Sequence, residues 1–231
     1  MARILLIETS TSLCSVALCE DSRVLSSRQS SQPRSHAAMT AVFIKEILCE
    51  QAMLAKDLDA VCLSAGPGSY TGLRVGSSTA KGLCFACNIP LLAVSTLEVL
   101  ANQAVVNELV PPGTDRIVPL LDARRMEVYT AVYDSHLNAL SFPEAKIIDS
   151  ADCYGPLLQG QSCLFIGDGA AKCSTILSSD SNHFVQTCPT AMAMAPLAFR
   201  EYEKKNFKDC AYFEPFYLKQ FVATQSKKKL F

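Results

Sequence analysis

The spacing of apolar positions changes period several times along this chain, and each change marks an element. Arg3–Glu8, Leu13–Glu20 and Arg23–Ser30 are short runs of strand formers, with Glu20-Asp21-Ser22 as a turn, and they predict three consecutive strands. From Ser35 to Met53 apolar residues return at helical spacing, as in Met39, Val42, Phe43 and Ile47, while Lys45, Glu46 and Glu50 mark a wetter face. That pattern predicts a long amphipathic helix. A strand over Leu58–Ser64, a helix over Leu73–Ala86 and a strand over Leu91–Val94 follow. The next helix opens at Ser95, with Glu98 placed to complete a capping box.

Pro111-Pro112-Gly113 breaks the pattern and predicts a linker. A second series begins beyond it, with strands over Arg116–Leu121, Met126–Tyr133 and Lys146–Asp149, then a short helix over Ala151–Leu158. A strand over Cys163–Ile166 turns at Gly167-Asp168-Gly169 into a helix over Ala170–Leu177, and a strand over His183–Gln186 precedes a final helix over Ala191–Lys205. Both halves run strands, helix, strand, helix, strand, helix. The duplication lies in element order and predicts an α/β protein of two similar lobes, residues 1–110 and 111–210, with residues 211–231 as a tail. A ligand cleft between lobes is typical of such an arrangement.

Composition narrows the function classes. A chain of 231 residues, 49% hydrophobic and 19% charged, has ample material for a core, and a net charge of −1 speaks against broad electrostatic attraction to nucleic acid. The run Lys227-Lys228-Lys229 is a local exception, read as a solvated terminus before a phosphate contact. Met1–Thr9 lacks the pattern of a signal peptide, and no apolar run reaches the ~18 residues of a membrane span, so the expectation is a soluble cytoplasmic protein. Eleven cysteines are scattered through predicted elements, as at Cys14, Cys62 and Cys163, which suits buried thiols. Cys84 and Cys87 form one C-x-x-C without a second pair, and Thr40 stands four residues after His36 where a paired metal ligand would be histidine. His136 and His183 are distant in sequence.

The densest chemistry lies in Gly66-Pro67-Gly68-Ser69-Tyr70-Thr71-Gly72-Leu73-Arg74-Val75-Gly76, a strand-to-helix corner. Helix starts and glycines suit an anion, but Leu73 and Arg74 stand where a Walker loop needs Lys and Ser/Thr, and the dinucleotide fingerprint is absent. Gly72, Gly76 and Ala80 fall four apart on one helix face, so we read the run as a device that lets another helix approach closely.

These residues also carry a resemblance. Ile4–Ser10, the Gly66–Gly76 loop, Ala80-Lys81-Gly82-Leu83, Ser95–Glu98, Asp122-Ala123-Arg124-Arg125 and Glu214–Leu218 occur in the order seen in the TsaB family, and the chain resembles it over nearly its whole length. The resemblance implies a duplicated ribonuclease-H-like, actin-like (ASKHA) fold and a non-catalytic role. TsaB-like proteins pair with the related TsaD, which transfers the threonylcarbamoyl group from its adenylate onto the adenosine next to the anticodon, and a small ATPase, TsaE, completes the assembly. It implies a TsaD-like partner, a TsaE-like ATPase, tRNA met through the complex, and a homodimer when the chain is alone. No cofactor of its own is expected; ATP/ADP and metal belong to the partner proteins. The expected interface comprises His36, Met39 and Phe43 on the first long helix with Tyr70, Thr71, Gly72, Arg74, Gly76 and Ala80 on the second.

Departures from the wider fold class agree with this. Actin-like ATPases place an aspartate where this chain has Glu8, and many relatives have glycine at Met126. An M22-like metallopeptidase, an actin-like ATPase and a tRNA-binding module are the rival classes. They predict bound metal with chelator-sensitive proteolysis, ATP turnover by the isolated chain, and salt-sensitive tRNA affinity respectively.

Overall fold

The computed structural model describes residues 1–32 and 36–219; Ser35 and the Lys227–Lys229 run lie outside them. In the first half, β1 (Arg3–Glu8), β2 (Cys14–Glu20) and β3 (Arg23–Ser30) form an antiparallel meander. After α1 (His36–Glu50), β4 (Ala60–Ser64) adds parallel to β1, and after α2 (Tyr70–Cys87), β5 (Leu91–Val94) adds parallel to β4. The sheet order is β3-β2-β1-β4-β5. β1 and β4 are buried on both faces, as central strands between two helical layers must be.

The helix α3 (Thr96–Val106) leads into the second half, which repeats that order. Its strands are β6 (Arg116–Asp122), β7 (Glu127–Thr130), β8 (Tyr133–Asp134), β9 (Glu144–Ile147), β10 (Cys163–Gly167) and β11 (Asn182–Gln186). The main path is β9-β7-β6-β10-β11, with β8 added beside β6. The helices are α4 (Ala170–Leu177) and α5 (Ala195–Glu203); between β9 and β10 a single 3-10 turn, Gly155–Leu157, stands in the place that α1 takes in the first half. A 3-10 turn there replaces the helix expected over Ala151–Leu158.

The halves interlock by exchanging their last helices. Leu97, Leu100, Ala101 and Ala104 of α3 pack with Ile117, Leu121, Leu164 and Ile166 of the second sheet. Residues Ala191–Ala198 pack in return with Ile4, Leu6, Cys62 and Leu92 of the first. Buried polar groups fix the crossing: Gln103 donates to the Cys188 carbonyl (3.0 Å) and accepts from the Thr190 N–H (2.9 Å), and Asn102 donates to the Ala193 carbonyl (2.7 Å). The remaining sheet faces are covered by α1 with α2 and by α4.

Other expectations shift for local reasons. The run Met126–Tyr133 does not form one strand, because Val132 leaves the β6 ladder to bond the Ser141 hydroxyl (2.9 Å) and the Leu140 N–H (2.7 Å). The final helix begins as a 3-10 turn, Met192–Met194, since Pro196 fits a helix's first turn but cannot continue one from behind. The capping box at Ser95 does not form; Glu98 instead receives Arg200 Nη1 at 2.8 Å. All eleven cysteines are unpaired, and burial pushes the Cys19 thiol up to about 12. Among the described residues no helix is long and apolar enough to cross a membrane.

Leu100 is fully buried in a core that joins one half's helix to the other half's sheet. Leu100→Ala is therefore expected to cost about 3 kcal/mol in denaturant unfolding while leaving one cooperative transition, since neither half keeps its core without the other.

Candidate interaction site: the glycine corner and the outer face of the first lobe

The glycine corner is filled by the chain itself. The turn after β1 lies in the groove at the start of α2: the Thr9 hydroxyl donates to the Gly72 carbonyl (2.8 Å), and the Ser69 N–H donates to the Ser10 carbonyl (2.6 Å). A Cβ on Gly72 would collide with the Thr9 carbonyl, one on Gly76 with the Thr9 hydroxyl, and one on Gly68 with the Ser10 carbonyl at 2.5 Å. Ser69 caps α2 by accepting the Gly72 N–H (3.3 Å), so the helix starts at Tyr70, earlier than its apolar spacing predicts. This corrects the expected role of Gly72, Gly76 and Ala80. All three face inward: Gly72 and Gly76 admit the β1 turn, and Ala80 is buried in the core that α2 shares with α1 and the first sheet.

The other expected interface residues divide in the same way. Phe43 is buried in the core beneath α1. Met39 packs at the edge of that core, and His36 Nε2 donates to the Thr11 carbonyl (2.9 Å). Tyr70 is half-buried, with the Arg74 guanidinium 4.2 Å above its ring, while Thr71 and Arg74 are exposed.

The outward face of α2 is the series Thr71, Val75, Ser78, Gly82, Phe85, spaced four, three, four and three apart. None of these five is charged, and the exposed Arg74 borders them and lines the same groove. Phe85 is 87% exposed, and Gly82 has open space around its Cβ position. Ala37, Ala38, Ala41 and Val42 on α1 are exposed alongside, and Ala37 shares a groove of about 620 Å³ with Thr71, Val75 and Ser78. The spacing of this series was visible in sequence, but choosing it over Gly72, Gly76 and Ala80 required knowing where Thr9 lies.

Residues 208–219 strap this lobe. Lys208 bonds the Leu91 carbonyl (2.8 Å), Lys81 donates to the Ala211 and Phe213 carbonyls (3.0 and 3.1 Å), and the Phe216 N–H meets the Ala65 carbonyl (2.7 Å). Tyr217 then stacks near Tyr70, ring centroids 4.8 Å apart, and Lys219 pairs with Glu127 of β7 in the second half. A second cavity, about 470 Å³, opens between the strap and α2, lined by Tyr70, Arg74, Ser77, Glu214, Tyr217 and Lys219.

At the inner end of β1, Glu8 is fully buried. Its Oε1 accepts the Ser10 N–H (2.6 Å), and Oε2 has no partner among the described residues. Burial raises its carboxyl from 4.5 to about 7, against the opposing pull of hydrogen bonding from Ser10, and the charge of Asp168 adds to the rise. Among the described residues no group of three His, Cys, Asp or Glu is placed to hold a metal ion.

Two sheets of one strand order, joined by exchanged helices, make this a duplicated ribonuclease-H-like protein of the actin-like class. A family model described as TsaD, tRNA N6-adenosine threonylcarbamoyltransferase, matches residues 23–224. The chain is 30% identical over 227 residues to the tRNA threonylcarbamoyladenosine biosynthesis protein TsaB of Haemophilus influenzae, covering 95% of this chain and 94% of that protein. It is 36% identical over 138 residues to TsaB of Escherichia coli, covering 60% and 58%. The solved structure of YeaZ from Pseudomonas aeruginosa matches with a TM-score of 0.82 at 27% identity, over 94% of this chain and 100% of that one. The chain belongs to the TsaB (YeaZ) family.

Two glycines of one helix should respond oppositely to alanine. Gly72→Ala forces the β1 turn out of place and should destabilise by about 3 kcal/mol or more, whereas Gly82→Ala should stabilise by about 0.5–1 kcal/mol; thermal and urea melts read both. Glu8 should make stability fall with alkali. Its contribution is fully present below about pH 4.5, where folded and unfolded forms are both protonated, and is lost as pH rises through about 7. Glu8→Gln should flatten that slope by roughly 3 kcal/mol between the limits, measured as urea unfolding from pH 5 to 8.5.

Proposed function

We propose that this chain is a non-catalytic subunit in tRNA threonylcarbamoyladenosine biosynthesis, docking a TsaD-like protein through α1 and α2 of its first lobe. The observation that carries the proposal is the uncharged outer stripe of α2, with Phe85 almost bare beside the exposed alanines of α1. Small side chains let a partner helix approach closely, and burying one phenylalanine contributes about 1.5–3 kcal/mol. The related second sheet offers no counterpart, because a 3-10 turn replaces α1 there. When the partner is missing, a second copy of the chain takes the same face.

The non-catalytic part of the proposal draws on the corner and on β1. Thr9 and Ser10 occupy the space where a glycine corner would hold phosphate, and the Glu8 carboxyl is enclosed. ATP/ADP and metal then belong to the TsaD-like partner and a TsaE-like ATPase, and tRNA is met through the complex.

Gly82→Arg places a charged side chain in open space on the proposed face and leaves the core untouched. Docking to a TsaD-like protein, followed by calorimetry, should weaken at least tenfold, and tRNA threonylcarbamoylation should fall to the level seen without this chain. Unchanged docking by the folded variant would refute the interface.

A further inference from the structure

The loop between β6 and β7 holds two arginines in conformations that side chains rarely adopt. Arg124 and Arg125 have φ values of 71° and 51°, a region where hairpin loops ordinarily place glycine or asparagine. Both are exposed. The loop is clamped from beneath: the Asp122 carboxylate accepts the Arg124 N–H (2.9 Å), and the Lys172 ammonium donates to Asp122 (2.5 Å) and to the Arg125 and Glu127 carbonyls (2.8 and 2.6 Å).

The nearby carboxylates are already engaged. Asp122 pairs with Lys172 and Glu127 with Lys219, and among the described residues neither guanidinium has an ion-pair partner. Among the described residues the clamped tip therefore carries two cations without an ion-pair partner. Aromatic faces lie next to it. Tyr129 of β7 is close enough to Arg124 and Lys219 to feel both charges, and Lys219 leads back to Tyr217, Tyr70 and Arg74.

We infer that the Arg124–Arg125 loop contacts the phosphate backbone of RNA, with Tyr129 of β7 beside it as a stacking surface. Guanidinia bind phosphate oxygens through fixed pairs of N–H groups, and unstacked RNA bases pack on aromatic rings. An acidic protein surface would engage the cations and leave Tyr129 without a role. Strain held at an exposed charged loop also fits a binding element better than a fold-stabilising one. The choice of RNA rests on the proposed part in tRNA modification, and a net charge of −1 confines the contact to this patch.

Replacing both residues, Arg124→Gly with Arg125→Gly, removes the charges while supplying the residue that the backbone favours. The readout is fluorescence anisotropy with a labelled tRNA anticodon stem-loop, for the full chain alone and with a TsaD-like protein, at several salt concentrations. Affinity should fall about tenfold, and the slope of log K against log salt should shrink by roughly 1.5, the loss of two phosphate contacts. The melting temperature should hold or rise. Unchanged affinity and slope would overturn the inference, as would weakened TsaD-like docking with RNA affinity intact, which would make the loop a protein contact. Docking measured separately on the wild type tells failure of the proposed function from failure of this inference.

Discussion

The exchange of helices between halves is the constraint on which the rest of the fold depends. A strand that is apolar on both faces needs two covers, and each half brings only part of that cover to its own sheet. The first sheet is completed by Ala191–Ala198, with Val99 of α3 beside them, and the second by α3, so the inner face of each draws cover from the opposite half of the chain. The arrangement also places Gln103 and Asn102 at the crossing, where buried amides must find partners and so fix how far one half slides over the other. With those inner faces occupied, the outer face of the first sheet carries α1 and α2, and their far side is what faces solvent.

Within that frame the turn after β1 sets the rotation of α2. Thr9 lies against Gly72 and Gly76 and hydrogen-bonds the Gly72 carbonyl, so the glycine side of the helix faces inward. The outer side then follows by geometry as Thr71, Val75, Ser78, Gly82 and Phe85. A glycine-rich run can mean close approach by ligand, by partner or by the chain itself, and at Gly68, Gly72 and Gly76 the close approach is made by Thr9 and Ser10 of the chain.

Periodicity was enough to find most strands and helices, the repeated order and the two-lobed architecture, because alternating and helical spacing report burial directly. It failed where the deciding contact was remote. Ala151–Leu158 has apolar residues at plausible spacing but folds as a 3-10 turn, and Glu98 sits three residues after Ser95 yet answers Arg200, over a hundred positions away. For the candidate site, the helices were legible and the face was not. Gly72, Gly76 and Ala80 lie at helical spacing as the outward series does, and what separates them is Thr9 against the two glycines and the core around Ala80. The clamp on the Arg124–Arg125 loop was hidden for the same reason, since Lys172 reaches it from a helix some 50 residues on.

The missing counterpart of α1 in the second half has an architectural consequence. A chain whose two halves were fully alike would present two equivalent helical platforms, and sticky surfaces on opposite sides of one molecule propagate into open chains. Here, among the described residues, the one helical element between β9 and β10 is a 3-10 turn, so the second sheet has no copy of α1 to complete the proposed platform. If the proposed docking runs through that platform, a relative and a second copy compete for one face, and covering it ends the assembly.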